Sequence, residues 1–201
     1  MRVAAAVSTV FTPELILLLT TLLLVGYERR DGPSPRALAA RTGVVAGAWA
    51  LAFAVYQGGP ELVSTSVPGG DDFFAALGLI VAFAGIGLAW RRFDWGSLLP
   101  PYAALIVVTS IVHLAVVPVW NASSHVIYAA VPALALLAVD RRFAPLLAVP
   151  PLLVWSRIST GAHTVDEAVG GLLVAALVVG GAFALDRLPE EGTAGVEAGI
   201  R

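Results

Sequence analysis

The sequence has no cysteine and no lysine, and it carries few charges of either sign. Of its 201 residues 13% are charged, and all 12 basic residues are arginine. Without cysteine there is no disulfide, no thiol nucleophile and no thiolate-held metal. The missing lysine reads as a coding bias towards arginine and carries no mechanistic weight. No cleavable leader is evident either, because the first apolar stretch runs on too long for a signal peptide. The net charge of -2 says little by itself, since in a membrane protein the position of charge matters more than the sum. No nucleic-acid partner is expected.

What the chain has instead is grease. It is 58% apolar with a mean hydropathy of +0.86, outside the range of soluble domains and typical of polytopic membrane proteins. The expected fold is all-α, a bundle of about seven transmembrane helices. Candidate spans are 5–27, 40–57, 71–90, 100–120, 124–139, 143–156 and 164–186. The fifth and sixth are short, and Asp140, Arg141 and Arg142 separate them. A tight hairpin there is cheaper than three charges in the middle of one long span.

Charge orients these spans. Arg29, Arg30, Arg36 and Arg41 surround the first loop, Arg91 and Arg92 follow the third span, Arg141 and Arg142 form the fifth turn, and Arg187 follows the last span. With seven spans all of them fall on one side, which the positive-inside rule makes cytoplasmic. The chain is then expected in the cell membrane, N-terminus outside and C-terminus cytoplasmic. Trp90, Trp95, Trp120 and Trp155 mark span ends, as interfacial aromatics should. Glu14 after Thr12-Pro13, and the pair Asp71-Asp72, read as helix starts.

One polar stretch interrupts the apolar pattern on the outer side: SRISTGAHTVDEAVGG, Ser156 to Gly171. Arg157 breaks the positive-inside trend, His163 follows it, and Asp166 and Glu167 come within one turn more. Residues three and four apart share a helical face, so either carboxylate can reach His163. On the same side, His125 opens the fifth span behind Ala122, Ser123 and Ser124. His113 lies deeper, about two turns inside the fourth span, where an ionisable group is a functional candidate by default; a hydrogen-bonded packing role fits it equally. Two His residues and a carboxylate can also hold zinc. HTVDE lacks the HExxH spacing, however, and Arg157 would repel a cation, so no metal or other cofactor is expected.

The run from Ser156 and Arg157 through His163 to Glu167 and Gly171 resembles the third motif of the type-2 phosphatidic acid phosphatase superfamily. Ala122 to His125 resembles the second motif, a two-helix hairpin upstream as in that family. Thr160-Gly161 is similar to the branch containing inositol phosphoceramide synthases, which transfer head groups. The resemblance implies a six-helix family-like core plus one extra span, with 100–188 as a phosphatase-like core of four spans; by hydropathy residues 1–99 hold three N-terminal spans, and the polar stretch 189–201 is expected as a disordered cytoplasmic tail.

It also implies roles. His163 would be the nucleophile, oriented by Glu167 or Asp166, and His125 would protonate the leaving group. Arg157, Ser123 and Ser124 would bind phosphate. The implied activity is a metal-independent lipid-phosphate phosphatase or phosphotransferase at the outer face, working through a phosphohistidine on a lipid phosphate or polyprenyl phosphate. Two departures stand out. Glu167 occupies the position usually held by Asp, and the basic first motif is not visible, with Arg91 and Arg92 assigned to the opposite face. The alternative is an inactive relative that binds lipid or serves as a structural membrane protein.

Overall fold

The computed structural model describes residues 2–28, 34–62 and 70–185. The expected tail at 189–201 and Arg29, Arg30 and Arg187 lie outside these residues. Every regular element among them is helical: α1 (Arg2–Val10), α2 (Pro13–Tyr27), α3 (Pro35–Leu62), α4 (Asp71–Phe93), α5 (Leu99–Val116), α6 (Ser124–Val139), a 3₁₀ segment (Arg141–Ala148), α7 (Val149–Ser159) and α8 (Val165–Ala184).

Spanning a bilayer takes about 20 apolar residues. Among the described residues, α3, α4, α5 and α8 are long and apolar enough, and α1 with α2 makes a fifth if the bent pair is one span. The expected continuous span 5–27 is therefore broken, with a bend of 47°. Pro13 explains the break: it lacks an N–H and pushes Thr12 out of helical geometry. Thr12 then restarts the chain, its hydroxyl accepting from Leu15 N at 3.3 Å. The expected sixth span, 143–156, divides as well. Pro145 falls in the 3₁₀ segment, and Pro150 and Pro151 sit in the opening turn of an α7 of only 11 residues, where proline fits best. Helix α6 is apolar but only 16 residues long. Several helices can thus cross a membrane, while the α6–α7 region is built from shorter pieces.

The described residues form two compact units, one within residues 21–122 and the other from residues 2–20 with 123–185. In the first, α3 runs antiparallel to α4. Gly59 faces the Phe74 ring, and a Cβ on Gly78 would come within 2.7 Å of the Ala52 carbonyl. Gly87 meets Ala103 in the same manner, packing α4 against α5. Glycine permits such approaches, and in lipid, where apolar burial between helices gains little, close backbone contact matters more. Phe83 links the three helices, its ring edge-to-face with Trp49 at 5.7 Å and Tyr102 at 6.0 Å.

One corner of this unit is held by a carboxylate. Glu28 accepts from the Trp90 indole N–H at 2.9 Å and from the backbone N–H groups of Leu98 and Leu99. It caps α5, whose own N-cap residue, Leu98, offers no acceptor, and so complements the helix dipole. Trp90 lies in the last turn of α4 and is fully buried.

In the second unit, α1 and the start of α2 pack with α6, α7 and α8. Ile16, Val126, Ala129 and Leu153 form the core, flanked by Val7, Phe11, Val149, Val154 and Leu172. Gly171 lets α8 approach α6: a Cβ there would lie 2.9 Å from Val126 Cβ and 3.0 Å from the Ser123 carbonyl.

Candidate functional site

The polar stretch between α7 and α8 has a definite backbone form. Helix α7 ends in a Schellman turn: Ala162 N donates to Arg157 O at 3.1 Å and Gly161 N to Ile158 O at 3.0 Å, with Gly161 left-handed at φ 71°. A residue without a Cβ is favoured there. His163 N also donates to Arg157 O, at 3.3 Å. The spacing from Arg157 to His163 is therefore the length of one helix stop, and it ties the histidine backbone to the arginine carbonyl.

Helix α8 then opens with a reciprocal cap. Thr164 Oγ1 accepts from Glu167 N at 3.4 Å, and Glu167 Oε2 accepts from Thr164 N at 3.0 Å. The same oxygen lies 3.3 Å from His163 Nδ1. The cap thus fixes a carboxylate that also holds the imidazole. With the proton on Nδ1, His163 donates to Glu167 and Nε2 keeps its lone pair. The His163 side chain is 8% exposed, close to burial yet reachable. Of the two carboxylates, Glu167 is the one at His163; Asp166 is exposed.

His125 stands one residue inside α6, within electrostatic reach of both Arg157 and His163. The three expected groups converge because α6 and α8 start side by side, Ser123 N donating to Glu167 O at 3.1 Å. Ser123 is fully buried, and its hydroxyl and His125 Nδ1 are buried with no hydrogen-bond partner among the described residues. Ser124 begins α6 and is half-buried. Two unsatisfied polar atoms beside a helix N-terminus suit an acceptor-rich anion. Among the described residues no group of three or more His, Asp or Glu side chains gathers in metal-binding fashion.

Helix α1 also takes part, which the sequence reading did not foresee. Ser156 Oγ donates to Ala4 O at 2.6 Å and lies 2.6 Å from Ser8 Oγ. The N-terminal helix is thereby pinned to the turn of α7 that carries Arg157. Nothing in the spacing of Ser8 within an apolar run announces this contact. The Thr164-to-Glu167 cap, by contrast, has a readable signature, Thr-x-x-Glu before an apolar run. His113 belongs to the other unit, where it is buried in α5 and in electrostatic reach of Asp72. In comparisons with known proteins, the chain matches no family model, no curated protein and no solved structure.

Proposed function

We propose that the chain is a membrane enzyme that hydrolyses or transfers phosphate from a lipid phosphate or polyprenyl phosphate through a phosphohistidine, without a metal. The observation that carries this reading is the Glu167–His163 pair at 3.3 Å, with His125 in electrostatic reach of His163 and Arg157. A carboxylate on one ring nitrogen fixes the tautomer and frees the other nitrogen to attack. The resemblance to the type-2 phosphatidic acid phosphatase superfamily points the same way.

The steps balance. His163 Nε2 attacks phosphorus, the P–O bond to the lipid breaks, and His125, having taken the proton of the bound phosphate monoanion, gives it to the departing oxygen. Water, or the hydroxyl of a second lipid, then attacks phosphohistidine; its proton passes to His125 and the P–N bond breaks. Arg157 offers a guanidinium fork to the phosphoryl oxygens, and Ser123 and Ser124 add donors at the start of α6. In this reading the bundle has seven spans, with the site facing outside and the C-terminus in the cytoplasm.

A second reading, an inactive relative that binds lipid or serves a structural role, is favoured by one observation. The basic first motif has no counterpart ahead of Ser123, and Arg141 and Arg142 lie at the far ends of α6 and α7 from Arg157. Phosphate release from a panel of lipid phosphates, by the purified chain in detergent with EDTA, separates the two. Release that persists with EDTA and is lost in His163→Ala supports the enzyme. No release from any substrate by wild type favours the inactive relative.

A further inference from the structure

In the unit of residues 21–122, Arg41 is in an unusual position. It lies in the second turn of α3 and retains only 9% exposure, and its Nε and Nη1 are buried with no hydrogen-bond partner among the described residues. A guanidinium carries its charge on a planar fork of five N–H donors. A buried charge without a counter-charge is costly, by several kcal/mol as a rule. Arginines near helix ends usually extend towards the interface to avoid that cost.

The described surroundings of Arg41 are basic. The α3–α4 register, set by Gly78 against Ala52 and Gly59 against Phe74, places Arg41 opposite the end of α4. From Ala52 back to Arg41 is about 16 Å, and from Gly78 on to Trp90 about 18 Å, at 1.5 Å per residue. Arg36 in the first turn of α3 and Arg91 and Arg92 in the last turn of α4 are exposed at this same end. Among the described residues, the carboxylates at this end are engaged elsewhere or exposed. Glu28 is committed to Trp90 and the α5 N-terminus, and Asp94 is exposed in a left-handed turn.

We propose that Arg41 anchors a binding site for the phosphate of an anionic lipid head group, with Arg36, Arg91 and Arg92 forming its exposed rim. Basic clusters at the ends of transmembrane helices are suited to such head groups. The guanidinium matches phosphate oxygens two at a time, and a lipid delivers its phosphate at the level where a helix end meets the membrane surface. This site does not depend on the His163 chemistry.

The test uses the full chain purified in detergent, exposed to phosphatidylglycerol, phosphatidylcholine or inorganic phosphate. Thermal unfolding and native mass spectrometry are the readouts. Phosphatidylglycerol is expected to raise the unfolding midpoint and remain bound through native spraying, while phosphatidylcholine does neither. In Arg41→Gln the phosphatidylglycerol affinity should fall at least tenfold, with Arg41→Lys recovering part of it. Equal affinity in wild type and Arg41→Gln would overturn the assignment. Inorganic phosphate matching phosphatidylglycerol would overturn the lipid as source. Should Arg41→Gln fail to fold, wild type decides: no preference for phosphatidylglycerol over phosphatidylcholine refutes the site.

Discussion

Glu167 Oε2 lies 3.3 Å from His163 Nδ1 and, through the same oxygen, 3.0 Å from Thr164 N. One atom both closes a helix cap and orients an imidazole, so the histidine is held by the element that begins beside it. A structural motif and a chemical one share a residue.

This separates the two acidic neighbours. Glu167→Gln keeps an oxygen for Thr164 N but loses the carboxylate that favours a proton on His163 Nδ1. Turnover should fall about 100-fold or more, with thermal stability little changed. Asp166→Asn should cost clearly less than Glu167→Gln, because Glu167 is the carboxylate at His163 Nδ1 and Asp166 is exposed. Steady-state kinetics on the two variants decides it, and equal losses would refute the assignment.

Helix packing supplies a second contrast. Gly171→Ala places a methyl 2.9 Å from Val126 Cβ, and overpacking of that kind costs about 1–3 kcal/mol. Gly180→Ala meets nothing within 4 Å and should be neutral or stabilising by up to about 1 kcal/mol. Thermal unfolding in detergent should show a lowered midpoint for the first and not for the second. Because Gly171 also faces the Ser123 carbonyl, its substitution should disturb the site too.

Much of this was legible in the sequence, and the exceptions have physical causes. Hydropathy and length located most helices, since a lipid-facing helix must be apolar along its whole length. The prolines were harder. Pro13 splits one expected span and Pro150-Pro151 delay another, because a proline inside an apolar run leaves hydropathy unchanged while ending the hydrogen-bond ladder. Arg157, His163 and Glu167 stood out because polar groups are rare in such a chain. The attachment of α1 did not, since Ser8 and Ser156 meet across nearly the whole sequence and each resembles any other serine. Glu28 was hidden for a related reason: in sequence it is one more loop charge, and only the fold brings Trp90 and the start of α5 to it.

The α1 attachment can be loosened alone. Ser156→Ala removes the 2.6 Å bond to Ala4 O and the partner of Ser8 Oγ. The loss should be about 1 kcal/mol, concentrated in α1. Hydrogen exchange should quicken in residues 2–10 and change little in α8. Uniform quickening across the unit would mean that α1 is not docked through Ser156.

At the other unit, Glu28→Gln replaces one acceptor oxygen with an amide that cannot receive both Trp90 and the α5 N-terminus. The loss of a charge-assisted hydrogen bond costs about 1.5–3 kcal/mol, and Trp90 fluorescence should shift as its indole loses its partner. An unchanged spectrum and midpoint would contradict the capping role.

The most direct measurement is a trapping experiment on the nucleophile. Wild-type protein is mixed with a lipid phosphate labelled on phosphorus, quenched in base within one turnover, and digested for peptide analysis. The account predicts a base-stable, acid-labile label on the peptide carrying His163, absent in His163→Asn and retained with EDTA present. Turnover of the lipid phosphate without such a label, or a label that persists in His163→Asn, would contradict a phosphohistidine at this position.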